Sequence, residues 1–161
     1  MKLFSEYLME AEQHKSGTYA ALLLKNESRT KLYAWMEEHN IARKIPAKEY
    51  HCTVVYSTTP VPNVSDISIN FPIKAKFKEW KIFGDDKLLV AVLTCPKAVK
   101  LFKETIKMGA KSDYPTFIPH ISVAKNFKGD VPADIPDFEI IFYKFKSDSL
   151  DTDFKYNDND S

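Results

Sequence analysis

Four residues arranged in two short stretches could carry proton-transfer chemistry. His51-Cys52-Thr53-Val54 and His120-Ile121-Ser122-Val123 each read histidine, apolar, hydroxyl, apolar. On an extended strand successive side chains point to opposite faces. His51 therefore shares a face with Thr53, and His120 with Ser122, while Cys52, Val54, Ile121 and Val123 turn toward a core. An imidazole has an ordinary pKa of about 6.5, so of two imidazoles one can be neutral and the other charged near neutral pH. Such a pair suits concerted acid–base work, in which one ring takes a proton from an attacking oxygen and the other gives one to the leaving oxygen. The adjacent hydroxyls can donate to non-bridging phosphate oxygens, and imidazolium stabilises the charge that builds up there. Cleavage of a phosphodiester by a neighbouring ribose hydroxyl or by water is the chemistry this apparatus fits. It requires no metal or cofactor, and two histidines without further ligands at a recognisable spacing make a poor zinc signature.

The two stretches lie 69 residues apart, and the same offset relates Lys31-Leu32-Tyr33 to Lys100-Leu101-Phe102, Pro46 to Pro115, and Leu24 to Leu93. No gap is needed between 18 and 54. Strand, helix, loop and His strand recur in that order, so two similar β-α-β lobes are expected, over about 18–56 and 87–124. A repeat of two units is a pair of half-domains rather than a solenoid, which needs three or more. The fold class expected is α+β, bilobal, with antiparallel sheets around a central cleft that both His strands line.

Leu3, Phe4, Tyr7, Leu8 and Ala11 fall at helical spacing, which predicts an amphipathic helix over about 2–13. An apolar strand buried on both faces follows over 18–24. Ser28 can cap the next helix, which should run to about residue 40 with Leu32, Trp35 and Met36 inward. A loop with Arg43, Lys44 and Lys48 leads into the first His strand, 50–56. Residues 67–83 are rich in β-formers, interrupted at Pro72. Gly84-Asp85-Asp86 reads as a hairpin turn, with the returning strand over 88–94. Pro96 opens a second helix, ended by Gly109. A loop with Tyr114 and Phe117 precedes the second His strand. A last strand is expected over 138–145, then an acidic tail over about 148–161 whose end should be disordered.

The 161 residues suffice for one domain or two tightly joined lobes. A net charge of +1 provides no overall field to recruit long nucleic acid, and the acidic tail disfavours long RNA. Two cysteines, Cys52 and Cys95, make no disulfide framework and suit a reducing cytosol. No stretch approaches the ~20 apolar residues of a membrane span, and Glu6, Glu10 and Glu12 interrupt any secretion signal. A cytoplasmic protein without a membrane partner is expected.

At its His strands the chain resembles the two-histidine (2H) phosphoesterases, whose signature is two His-hydrophobic-[Ser/Thr]-hydrophobic strands in a bilobal α+β fold. The resemblance covers about residues 17–146. It implies metal-independent phosphodiester cleavage, with His51 and His120 as general acid and base and Thr53 and Ser122 holding phosphate. Within that group the chain looks most like the phage anti-CBASS nucleases, which implies a small cyclic di- or trinucleotide messenger of bacterial antiviral signalling, such as 3′,3′-cGAMP, as substrate, and evasion of host immunity as the outcome. Base-stacking aromatics would then be needed, since each stacked base contributes about 1–3 kcal/mol. Tyr19, Trp80 and Phe154 are the candidates for substrate binding, with Lys44, Lys48 and Lys125 as possible phosphate contacts. Two other readings use the same cleft: a 2′,3′-cyclic phosphodiesterase acting on RNA ends, and a non-catalytic nucleotide-binding module. The intact His and hydroxyl pairs argue against the module, which has no need of them.

Overall fold

A computed structural model describes residues 17–112 and 116–150. The expected helix over 2–13, Tyr114, and the tail from 151 with Phe154 lie outside the described residues. Among the described residues, six strands and two helices make up the body: β1 (Gly17–Leu24), α1 (Asn26–Glu38), β2 (His51–Ser57), β3 (Ile73–Phe83), β4 (Leu88–Thr94), α2 (Pro96–Lys107), β5 (His120–Ala124) and β6 (Ile140–Leu150). All pair antiparallel in one sheet of order β2-β1-β6-β3-β4-β5. Leu32 and Met36 of α1 and Ala98 and Leu101 of α2 bury against Cys52, Val54, Ile121 and Val123. The helices therefore cover the face of the sheet that the histidines turn away from.

The internal repeat is written into the strand register. Leu23 pairs with His51 and Ala21 with Thr53; Val92 pairs with His120 and Val90 with Ser122. Each of the second pairs lies 69 residues beyond the first. The irregularities match too: the ladder slips between Ala20 and Ala21, and again between Leu89 and Val90. Val54 and Val123 are the extra residues of these two β-bulges, devices that bend a strand and re-aim its neighbours. Both helices end alike. The Asn40 and Gly109 amides donate to Glu37 and Ile106 carbonyls at 3.0 Å, and those of Ile41 and Ala110 to Met36 and Thr105 at 3.0 Å. Asn40 (φ 55°) and Gly109 (φ 108°) both take the left-handed conformation that stops a helix, which asparagine and glycine tolerate best.

Each lobe contains a third strand that the β-α-β expectation omitted. In lobe two it is β3, which opens the hairpin into β4 through the Gly84 turn. In lobe one it is β6, from the other end of the chain, lying along the whole of β1. The third strands are themselves equivalent at an offset of 65 residues. Lys144 pairs with Leu23 as Glu79 pairs with Val92, and Phe142 with Leu24 as Phe77 pairs with Leu93. Ile73–Ala75 of β3 pair with residues 140–142 of β6 and join the lobes into one sheet. Two expectations are corrected here. The last strand runs to Leu150, not 145, because β1 offers it a partner at every rung back to Gly17. Ser28 is no cap: α1 begins at Asn26, and the buried Ser28 hydroxyl accepts the Ile141 amide of β6 at 2.9 Å.

Candidate active site

The segment before β2 reaches across to β5 and brings the outer strands together. The Ile45 amide donates to the Val123 carbonyl at 2.9 Å, and the Lys125 amide to the Arg43 carbonyl at 3.1 Å. The Arg43 guanidinium adds a bond from Nη2 to the Asn126 carbonyl at 2.9 Å. Cys52, next in the chain to His51, lies with its thiol against the backbone of His120. Complete burial pushes that thiol up to about 12, so it is a packing group and no nucleophile at neutral pH.

The two imidazoles are held in the same way. His51 Nδ1 bonds the Glu49 carbonyl at 2.7 Å and His120 Nδ1 the Ile118 carbonyl at 2.8 Å, in each case two residues back. A carbonyl can only accept, so Nδ1 carries the hydrogen in both rings. In the neutral form of each ring Nε2 is then the basic nitrogen, and in the charged form Nε2 carries the second proton. Ahead of β2 a 3₁₀ turn, Ala47–Glu49, presents the accepting carbonyl, and its own amides are tied back to Pro46 and Ala47. His120 is partly buried. Burial lowers its pKa below the ordinary histidine value, against the opposing pull of the Ile118 carbonyl.

Aromatic rings flank both histidines. The Tyr19 ring meets His51 edge to face with centroids 6.2 Å apart, and its hydroxyl shares a 3.2 Å hydrogen bond with Thr53 Oγ1. On the other side the Phe83 ring meets His120 edge to face at 4.9 Å. Strand periodicity did not single out Phe83. Its equivalent at the 65-residue offset is Asp148, so the repeat between the β-α-β units is silent about it. The signal was the hairpin: Phe83 pairs with Leu88 just where Tyr19 pairs with Asp148.

Thus His51, Thr53, Tyr19, His120 and Ser122 share the face away from the helices, with Phe83 among them. Trp80 is on the other face. It is 6% exposed, stacks on Trp35 of α1 with centroids 5.3 Å apart, and donates its indole N–H to the Asp134 carbonyl at 2.8 Å. Pairing with Ala91, whose other neighbour is Ile121, puts it on the core side. His39 stacks on Trp35 at the end of α1, centroids 3.6 Å apart. Lys44 is taken up locally, donating to the Ile41 carbonyl at 3.1 Å. Among the described residues, no three His, Cys, Asp or Glu side chains gather into a metal-binding set, and no helix is long and apolar enough to cross a membrane.

Comparison with known proteins identifies the family and the fold. Residues 16–157 match the family model described as anti-CBASS protein Acb1. Among curated relatives, the anti-CBASS protein Acb1 of Vibrio phage KVP40 is 25% identical over 109 residues, covering 67% of this chain and 72% of that protein. The one from Enterobacteria phage T4 is 26% identical over 130 residues, covering 77% and 85%. Among solved structures, E. coli LigT complexed with 3′-AMP superposes with a TM-score of 0.62 at 14% identity, over 82% of this chain and 86% of that one. At that identity the likeness speaks for the fold.

Proposed function

Because the chain belongs to the anti-CBASS protein Acb1 family, we propose that it opens small cyclic oligonucleotide messengers by metal-independent acid–base chemistry at His51 and His120. It is a phage anti-CBASS phosphodiesterase of the two-histidine type. The finer reading concerns its substrate and its residues, and one observation carries it. Two imidazoles, one on each outer strand of the sheet, both bond a carbonyl two residues back through Nδ1, which sets the two rings in the same tautomer with Nε2 as the basic nitrogen.

In this reading the ribose 2′-hydroxyl beside a 3′–5′ linkage gives its proton to one neutral imidazole and attacks phosphorus. The other histidine, charged, protonates the departing 5′-oxygen from its Nε2. The product is a single opened chain with a 5′-hydroxyl at one end and a 2′,3′-cyclic phosphate at the other, which water can hydrolyse at the same pair with the proton roles exchanged. Thr53 and Ser122 donate to the non-bridging oxygens, with Tyr19 holding the Thr53 hydroxyl in place. Phe83, half-buried beside His120, is the ring at hand for a base, while Tyr19 is buried and serves the Thr53 hydroxyl.

The test is incubation with a panel of cyclic di- and trinucleotides and 2′,3′-cyclic mononucleotides in excess chelator, with products identified by mass. Ring opening is expected to persist under chelation. Activity lost to chelator and restored by a divalent ion overturns the chemistry, and turnover confined to the mononucleotides overturns the substrate. His51→Ala and His120→Ala should each lower turnover by roughly 10²–10⁴-fold, the usual worth of a positioned acid or base. Retained turnover in either variant removes that residue from the mechanism.

A further inference from the structure

A cyclic oligonucleotide has at least one phosphate that is not being cut, and the histidine pair engages a single phosphorus. We infer that Lys144 and Lys146, on the β6 floor of lobe one, hold the uncut ring phosphate and so set the orientation in which the ring is bound. This rests on the substrate reading above.

Directly paired residues lie on the same face. Across lobe one, one rung runs His51, Leu23, Lys144 and the next Thr53, Ala21, Lys146. Across lobe two the matching rungs run His120, Val92, Glu79 and Ser122, Val90, Lys81. Two contacts identify the face. Phe83, two residues from Lys81, lies against the His120 ring. Tyr19, paired with Asp148, lies against His51 and Thr53. Phe145, between the two lysines, packs against the core on the opposite side. The lysines therefore share the face of the catalytic side chains. They stand two strand spacings away, about 10 Å, a gap that a phosphate one nucleotide along the ring and a four-carbon lysine stem close together.

Charge breaks the symmetry of the floor. Lys81 and Lys146 are equivalent, but Lys144 stands where lobe two has Glu79. Lys81 Nζ lies 4.0 Å from Glu79, which neutralises it within its own strand. Lys146 Nζ lies 3.9 Å from Asp148, and among the described residues Lys144 has no ion-pair partner. Both carboxylates in these pairs are about half exposed, so the contacts are weak ones that a phosphate can displace. Lobe one thus keeps a net positive floor beside its histidine and lobe two a neutral one. A ring with one phosphate between the imidazoles lowers its energy by turning the next phosphate toward β6.

Steady-state kinetics on a 3′,3′-linked cyclic dinucleotide test this. Lys144→Gln with Lys146→Gln should raise KM roughly tenfold or more, the scale of lost charge-assisted bonds, with kcat within about twofold. The paired Lys→Arg changes should restore KM. Lys81→Gln should move KM by less than about twofold. The apparent affinity for 2′,3′-cyclic AMP, which has a single phosphate, should not change in any variant. An unchanged KM in the double variant, an equal effect from Lys81→Gln, or equal weakening toward 2′,3′-cyclic AMP overturns the inference. Wild-type protein that leaves the dinucleotide intact yet turns over 2′,3′-cyclic AMP defeats the substrate reading itself, and this inference with it. Unchanged circular dichroism confirms that the variants remain folded.

Discussion

His120 carries an asymmetry that the two motifs do not display. Its ring is backed by Phe83, whereas His51 is backed by Tyr19, whose hydroxyl reaches Thr53. An apolar wall withholds water from the charged imidazole, so burial lowers the pKa of His120. The consequence is a pH signature. A ring with a depressed pKa stays neutral to lower pH, and in the proposed mechanism the limb of the rate profile belonging to His120 lies correspondingly to the acid side. Phe83→Ala admits water, raises the His120 pKa toward the ordinary value, and should move that limb of kcat/KM to higher pH. A limb that stays put, or moves down, shows that Phe83 does not set the protonation of its neighbour. Reading face from alternation succeeded for His51, Thr53, His120 and Ser122 because strand period is a property of the chain alone. It could not choose between the faces of β3, where Trp80 and Phe83 are both aromatic and only the partners of the strand decide which meets a histidine.

At the scale of elements, buried polar contacts tie a helix to a strand far away in the chain. Ser28 sits in the first turn of α1, and its hydroxyl takes the amide of Ile141 in β6. Arg29 extends the tie, donating from Nε to the Leu24 carbonyl at 3.2 Å and from Nη1 to the Lys48 carbonyl at 2.9 Å. The second of these reaches the turn that precedes His51. Ser28→Ala leaves a buried amide without its acceptor, which costs about 1–3 kcal/mol. Urea denaturation should show a lower midpoint at unchanged slope, and an unmoved midpoint means that the amide has another partner. A serine two residues into a helix reads as a cap because capping is local. Its actual partner is 113 residues away, and no local rule reaches that far.

The whole molecule is a pseudo-symmetric pair in which the chain order of one half is permuted. Lobe two runs β3-β4-α2-β5 without interruption; lobe one is β1-α1-β2 completed by β6 from the other end. β6 pairs with β1 along its length and with β3 through residues 140–142, so it is the strand that joins the two lobes. Ending the chain after Glu139 should therefore do more than trim a terminus: β1 and β3 lose their shared neighbour and expose unpaired backbone and apolar faces. Loss of soluble folded protein, judged by circular dichroism and size exclusion, is the expected result. A truncated chain that stays folded and monodisperse contradicts that joining role.

The amino-acid sequence by itself determined the two His-x-hydroxyl strands, their common facing, the duplication and the C-terminal ends of both helices. Those depend on periodicity, capping residues and self-similarity, all carried within a few residues of chain. Only the tertiary structure decided which lobe owns β6, that Ser28 bonds a strand instead of a helix end, that Phe83 and not Trp80 lies beside a histidine, and that two lysines of the final strand share the face of the histidines. Each of these depends on pairing between residues far apart in sequence. The free energy of such pairing comes from the surfaces brought together, and neither surface alone records its partner.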